Sequence, residues 1–210
     1  MSSPETPIPS ASRICNAIPP HARNMRIGLL GGTFNPAHDG HRHISREALK
    51  RLALDRIWWL VTPGNPLKDN VELPKIETRA AHAAAIADHP RIDVTLLEQR
   101  LGTSYTADTL DRLTRRSPGV RFVWLMGGDN LAGFHQWDRW QDIAGLMPFA
   151  VLDRPGTRTK ALAGRAARTL TASRVRPVEA RRLAEMTPPA WTFLDIPLSD
   201  LSSTDLRATT

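Results

Sequence analysis

A single cysteine, Cys15, leaves the chain no second thiol for an internal disulfide. That excludes the cross-linked secreted scaffolds and fits a reducing compartment, so a cytoplasmic location is expected. No stretch approaches the roughly eighteen consecutive apolar residues that a membrane span requires. The first 24 residues, MSSPETPIPSASRICNAIPPHARN, have no apolar core of the secretory-signal kind. Their Pro and Ser content predicts a flexible extension over residues 1–24, and Glu5 and the prolines interrupt any amphipathic presequence helix. Acidic residues are in deficit, 21 against 28 Lys and Arg, for a formal net charge of +7. Such a balance favours nucleotides, nucleic acid or anionic lipid as partners. Charge alone does not choose among them, because much of the excess lies in one segment, Arg158 to Arg182. Aromatics interleaved with basic residues on exposed strands, the marks of a nucleic-acid binder, are not evident. Neither common phosphate motif, G-x-x-x-x-G-K-[ST] or G-x-G-x-x-G, occurs.

What is present is a chain of 210 residues, 41% hydrophobic, long enough for one well-buried core, and a single domain is expected over residues 25–210. From Met25 the apolar run MRIGLLGG reads as a buried strand closed by glycines. Further strands are predicted in RIWWLVT, RIDVTLLE, VRFVWLM, PFAVLDRP and WTFLDI. Between them, helices are predicted after His41, where Ile44, Ala48 and Leu52 recur at i+4, over Lys75 to Asp88, and over Thr106 to Arg116. Residues 156–182 read as irregular or helical. Strands alternating with helices at this spacing predict an α/β fold, a doubly wound, mostly parallel open sheet. Ligands of such sheets bind outside the carboxyl ends of the strands, near the point where strand order reverses.

The loop after the first long strand reads GGTFNPAHDGH, Gly31 to His41. Gly31, Gly32 and Gly40 let backbone approach a ligand, Pro36 fixes a turn, and a helix starting near His41 aims its unpaired N–H groups at the loop. That is an anion site. His38 and His41 can both point at one polyphosphate and donate to oxygens that gain charge in a displacement. A solvent-exposed loop or a metal pair are the alternatives, and Asp39 is the only close acid for the second. Near the C-terminus, LSSTDLR places Ser202, Ser203 and Thr204 as N-cap residues, with Arg207 one turn on. Hydroxyls, helix start and guanidinium suit a phosphate, although such a run alone also serves as an ordinary helix cap.

Together the two motifs resemble the signatures of the nucleotidylyltransferase superfamily, a G-x-F-x-P-x-H-x-G-H loop and a late S-S-T-x-[IL]-R. SYTADTL and GGDNLAGFHQW, lying between them in the expected order, resemble segments of the bacterial nicotinate-mononucleotide adenylyltransferases. The resemblance spans roughly residues 26–207. It implies a Rossmann-like nucleotidyltransferase fold, with ATP and nicotinate mononucleotide as substrates and Mg²⁺ carried on the phosphates rather than by protein ligands. The implied reaction is in-line attack of the mononucleotide phosphate on the α-phosphorus of ATP, with no covalent enzyme intermediate and no general base. By the same resemblance His38, His41 and Arg207 are the catalytic donors, His41 foremost. Gly31, Gly32, Thr33, Phe34, Gly127, Ser203 and Thr204 line the ATP site, and a buried Asp129 meets the ribose hydroxyls. Tyr105, Thr106, Trp137 and the main chain of Asp138 take the mononucleotide, Trp137 by stacking on nicotinate. Where the family carries P-P-H-[KR] this chain reads TPGNPLK, so Lys68 alone stands in as the basic group. The family usually continues by a further helix beyond the S-S-T-x-[IL]-R run, so oligomer contacts that use it are not carried over, although a homo-oligomer is compatible. Phosphopantetheine and CDP-alcohol transferases of the same superfamily are the nearest rival, and a non-catalytic nucleic-acid binder is the more distant one.

Overall fold

A computed structural model describes residues 14–64, 73–153 and 157–196. Seven strands, β1 (Ile14–Cys15), β2 (Arg26–Gly32), β3 (Arg56–Val61), β4 (Ile92–Thr95), β5 (Arg121–Gly127), β6 (Phe149–Leu152) and β7 (Trp191–Leu194), form one sheet in the order β1-β4-β3-β2-β5-β6-β7. Every pairing is parallel. The helices are α1 (Asp39–Arg51), α2 (Ile76–Ala87), α3 (Leu97–Leu101), α4 (Thr106–Arg116), α5 (Gly128–Gly133), α6 (Trp140–Leu146), α7 (Arg158–Ala163) and α8 (Arg165–Thr169).

Alternate residues of each strand feed two separate cores. On β3, Ile57, Trp59 and Val61 join Ile44 and Ala48 of α1, its C-cap Leu52, and Ala80, Ala83, Ala84 and Ala87 of α2, while Trp58 and Leu60 join Leu110 and Leu113 of α4 on the opposite face. A strand covered on both sides has no polar face, which is why RIWWLV runs apolar without alternation. The sheet is the doubly wound α/β arrangement expected from the strand–helix rhythm. The order runs outward from β2 through β3 and β4 on one side and through β5, β6 and β7 on the other, so the switch point lies between β2 and β5.

Four expectations are corrected. Residues 14–24 are not a flexible extension: Ile14 and Cys15 pair with Val94 and Thr95 as an edge strand, Leu96 N–H donates to the Cys15 carbonyl at 3.2 Å, and Asn24 N–H donates to the Gly119 carbonyl at 2.7 Å. The third expected strand ends at Thr95, and Leu97–Leu101 turns into α3 instead. Along β4 Ile92 and Val94 alternate with Asp93 and Thr95, yet all four residues are buried, so the alternation marks no solvent face. The helix after the His loop begins at Asp39 rather than near His41. Asp129 is exposed in the first turn of α5, with Gly127 as the N-cap, rather than buried in a turn. The Arg-rich stretch resolves into α7, α8 and 3₁₀ turns at Thr171–Ser173 and Pro177–Glu185.

Candidate active site

The chain leaves β2 at the switch point and turns through Phe34, whose φ of 48° is left-handed, and a cis Asn35–Pro36 bond. Phe34 is held there by packing: its ring stacks on Trp59 at 5.0 Å and lies 4.8 Å from the His41 ring. A Cβ on Gly31 would come within 2.5 Å of the Trp124 ring, so only glycine lets β2 end this close to β5. His38 then caps α1. Its Nδ1 accepts the Gly40 N–H at 3.1 Å, and His41 Nδ1 accepts the His38 N–H at 3.3 Å, a reciprocal capping box with the rings 4.0 Å apart.

That box fixes the tautomers. A ring nitrogen that accepts a backbone N–H bears no proton, so each neutral imidazole carries its proton on Nε2. Both histidines are thereby donors through Nε2 at the N-terminal end of a thirteen-residue helix, where the macrodipole adds positive potential. Below them Ser45, fully buried, donates to the His41 carbonyl at 2.8 Å and accepts from Trp59 Nε1 at 2.8 Å, tying α1 to β3.

Across the switch point β5 ends at Gly127, the N-cap of α5, and the chain continues through Phe134 to Trp137. Gly128 stands where any side chain would overlap the Thr157 hydroxyl. Trp137 is half-buried and meets Phe134 and Trp124 edge-on, at 5.4 and 6.3 Å. Asp138 is exposed. Tyr105, also exposed, is the N-cap of α4, and Thr106 opens that helix. Arg139 links these two segments, donating to Asp108 of α4 at 2.9 Å and to Asp142 at 2.8 Å. The loops after β2 and β5 thus leave adjacent strand ends, the first carrying the two imidazoles and the second leading to Trp137. Lys68, Ser203, Thr204 and Arg207 lie outside the described residues.

Three residues passed over in the sequence belong to this edge of the sheet. Arg79 is buried within α2 and donates to carbonyls of the loops after β2 and β3. Glu98 is buried in α3, and burial pushes its carboxyl up to about 7, with the nearby Thr62 side chain opposing the rise. Arg139 is the third. A signal existed for Arg79, because it occupies the apolar stripe of α2 three residues after Ile76. None existed for Glu98, which depended on knowing that LLEQRL is a helix.

The model of the cytidylyltransferase-like family matches residues 29–209. A probable nicotinate-nucleotide adenylyltransferase of Bradyrhizobium sp. (strain ORS 278) is 57% identical over 183 residues, covering 87% of this chain and 95% of the relative. One from Cereibacter sphaeroides (strain ATCC 17023) is 54% identical over 185 residues, covering 88% and 97%. Among solved structures, Plasmodium falciparum nicotinic acid mononucleotide adenylyltransferase complexed with NaAD superposes with a TM-score of 0.66 at 16% identity, over 88% of this chain and 83% of that one. At that identity the likeness is one of fold.

Proposed function

The chain belongs to the cytidylyltransferase-like family and, within it, to the nicotinate-nucleotide adenylyltransferases, and from that membership we infer that it transfers the adenylyl group of ATP to nicotinate mononucleotide, giving nicotinate adenine dinucleotide and pyrophosphate. The observation in this chain that carries the inference is the His38–His41 capping box, which sets two imidazoles, each with Nε2 as its donor atom, on a helix N-terminus at the switch point.

The nucleophile, a phosphate oxygen of the mononucleotide, is already an anion at neutral pH. Rate enhancement therefore comes from alignment and charge neutralisation, with no protein base. His41 Nε2, with His38 beside it, donates to the phosphate oxygens that gain charge as the α–β bridge breaks. Arg207, Ser203 and Thr204 complete the hold on the leaving pyrophosphate, with Lys68 as a further cation. Gly31, Gly32, Thr33, Phe34 and Gly127 supply the close-fitting backbone around ATP, and Asp129, exposed at the start of α5, reaches the ribose hydroxyls. Mg²⁺ carried on the phosphates would supply further charge neutralisation. A hard cation that takes phosphate and water oxygens needs no cage of protein ligands, and Asp39 is the nearest acid to the histidines in sequence. Trp137 gives the pyridine ring a stacking face. The start of α4 at Tyr105 and Thr106 and the main chain at Asp138 offer donors to the nicotinate carboxylate. The substrates are two small nucleotides, no nucleic acid or membrane takes part, and the cytoplasm is the working compartment.

Pyrophosphate release from ATP and Mg²⁺, measured with nicotinate and nicotinamide mononucleotides side by side, tests this. Turnover is expected with both, with kcat/KM favouring the acid by at least about tenfold, since a donor-only pocket leaves the amide NH₂ opposed. Equal use of the two would refute the donor-only pocket, and activity with phosphopantetheine in place of either would move the chain to another branch.

A further inference from the structure

Arg79 sits among Ile76, Ala80, Ala83 and Ala87 on the buried stripe of α2 and is 4% exposed. A residue there only to pack would resemble those neighbours. A buried guanidinium forfeits its hydration, and burial pushes Arg79 below its ordinary value. Among the described residues no carboxylate forms an ion pair with it, and Glu77 acts on it only through space.

Backbone carbonyls replace the water. Nη1 donates to Thr33 O at 2.6 Å and Thr62 O at 2.8 Å, Nη2 to Pro63 O at 3.1 Å, and Nε to Pro74 O at 2.9 Å. Thr33 immediately precedes Phe34 and the turn that delivers His38 and His41. Thr62 and Pro63 open the loop after β3, and Pro74 lies at its far end, just before α2. One planar fork therefore closes the β3 loop across its two ends and fastens it to the β2 loop. The Thr62 hydroxyl donates to Gly64 O at 2.7 Å, a further bond within the same turn.

We propose that Arg79 is a positioning residue of the phosphate site, locking the loops after β2 and β3 to each other so that His38 and His41 meet ATP in one orientation. The proposal rests on the adenylyl-transfer function assigned above to the same site. Lysine cannot substitute, because one ammonium at the end of a flexible stem does not span the four carbonyls that the three guanidinium nitrogens reach.

Hydrogen–deuterium exchange and steady-state kinetics on full-length Arg79→Lys and Arg79→Ala test it. In Arg79→Lys, peptides covering residues 33–41 and 57–64 should exchange at least about tenfold faster at their loop amides, while peptides from β5 and β6 keep wild-type rates. The kcat should fall by about ten- to a hundredfold, with KM for ATP changed by less than about threefold, since alignment is lost rather than binding. Guanidinium at tens of millimolar should raise the kcat of Arg79→Ala several-fold. Should Arg79→Ala not fold, Arg79→Lys carries the test. Uniformly faster exchange across the chain in Arg79→Lys would reduce Arg79 to a general stabiliser and overturn the proposal, as would wild-type exchange in both loops or kcat within about twofold of wild type. Wild-type protein that releases no pyrophosphate would overturn the assigned reaction but not the clamp, which the exchange pattern judges independently.

Discussion

His38 and His41 commit their Nδ1 atoms to the start of α1, and that commitment leaves Nε2 as the donor atom of each ring, the His38 Nε2 being buried. His41→Ala should therefore lower kcat by about two to four orders of magnitude, the range for losing a donor that acts in the transition state, with a much smaller effect on ATP binding. An unchanged kcat in folded variant protein would remove His41 from the mechanism. Glu98 is the other residue with a sharp consequence. Its folded value of about 7 lies above the ordinary 4.5, so between those pH values the folded state holds a proton that the unfolded chain has released. Stability contributed by this group is accordingly present at low pH, falls as pH rises from 4.5 to 7, and is lost above 7, by up to about 3 kcal/mol. Glu98→Gln, which cannot ionise, should match wild type near pH 4.5 and gain on it until pH 7, after which the gap is constant. Chemical denaturation at several pH values measures this; parallel stability curves would show that Glu98 ionises freely in the fold.

Where two elements approach most closely, at the end of β2 against β5, the fit is set by Gly31 and the Trp124 ring. Gly31→Ala should cost about 1–3 kcal/mol through overpacking, and because the displaced ring edges against Trp137 it should also raise KM for the mononucleotide. Adding Trp124→Phe, which deletes the benzo ring that the new methyl meets, should recover part of both losses. A double variant no better than the sum of the singles would mean that the two do not communicate. The same elements explain what could be read beforehand. Strands β2, β3, β5 and β6 were legible because burial on both faces makes nearly unbroken apolar runs, β4 through the recurrence of Ile92 and Val94, and α1, α2 and α4 because their periodic stripes are long. Strand β1 is two residues in a Pro- and Ser-rich stretch, and its pairing with β4 leaves no local trace. Helix α3 has five residues and α5 has six, too short for a 3.6-residue period to declare itself. Of the site, the histidine loop and the Trp137 segment were legible as motifs, whereas Arg79 acquires its meaning only when three carbonyl groups from distant segments arrive around it.

The chain's two cores lie on opposite faces of one sheet, and the candidate site straddles the line where the sheet's two halves meet. The β2 loop belongs to the half that continues through β3 and β4, and the Trp137 segment follows β5, which begins the other half. A dinucleotide lying across that line touches both, so its binding energy acts on the whole fold rather than on one loop. Nicotinate adenine dinucleotide at about a hundred times its Kd should stabilise the folded state by about 2.7 kcal/mol. For a chain of this size that corresponds to a rise in Tm of about 5–10 °C within a single unfolding transition. Trp137→Ala and His41→Ala should each shrink the shift, because each removes the ligand's hold on one half. Two resolved transitions, with only one of them moved by the dinucleotide, would show that the halves unfold separately and that the ligand binds one of them alone.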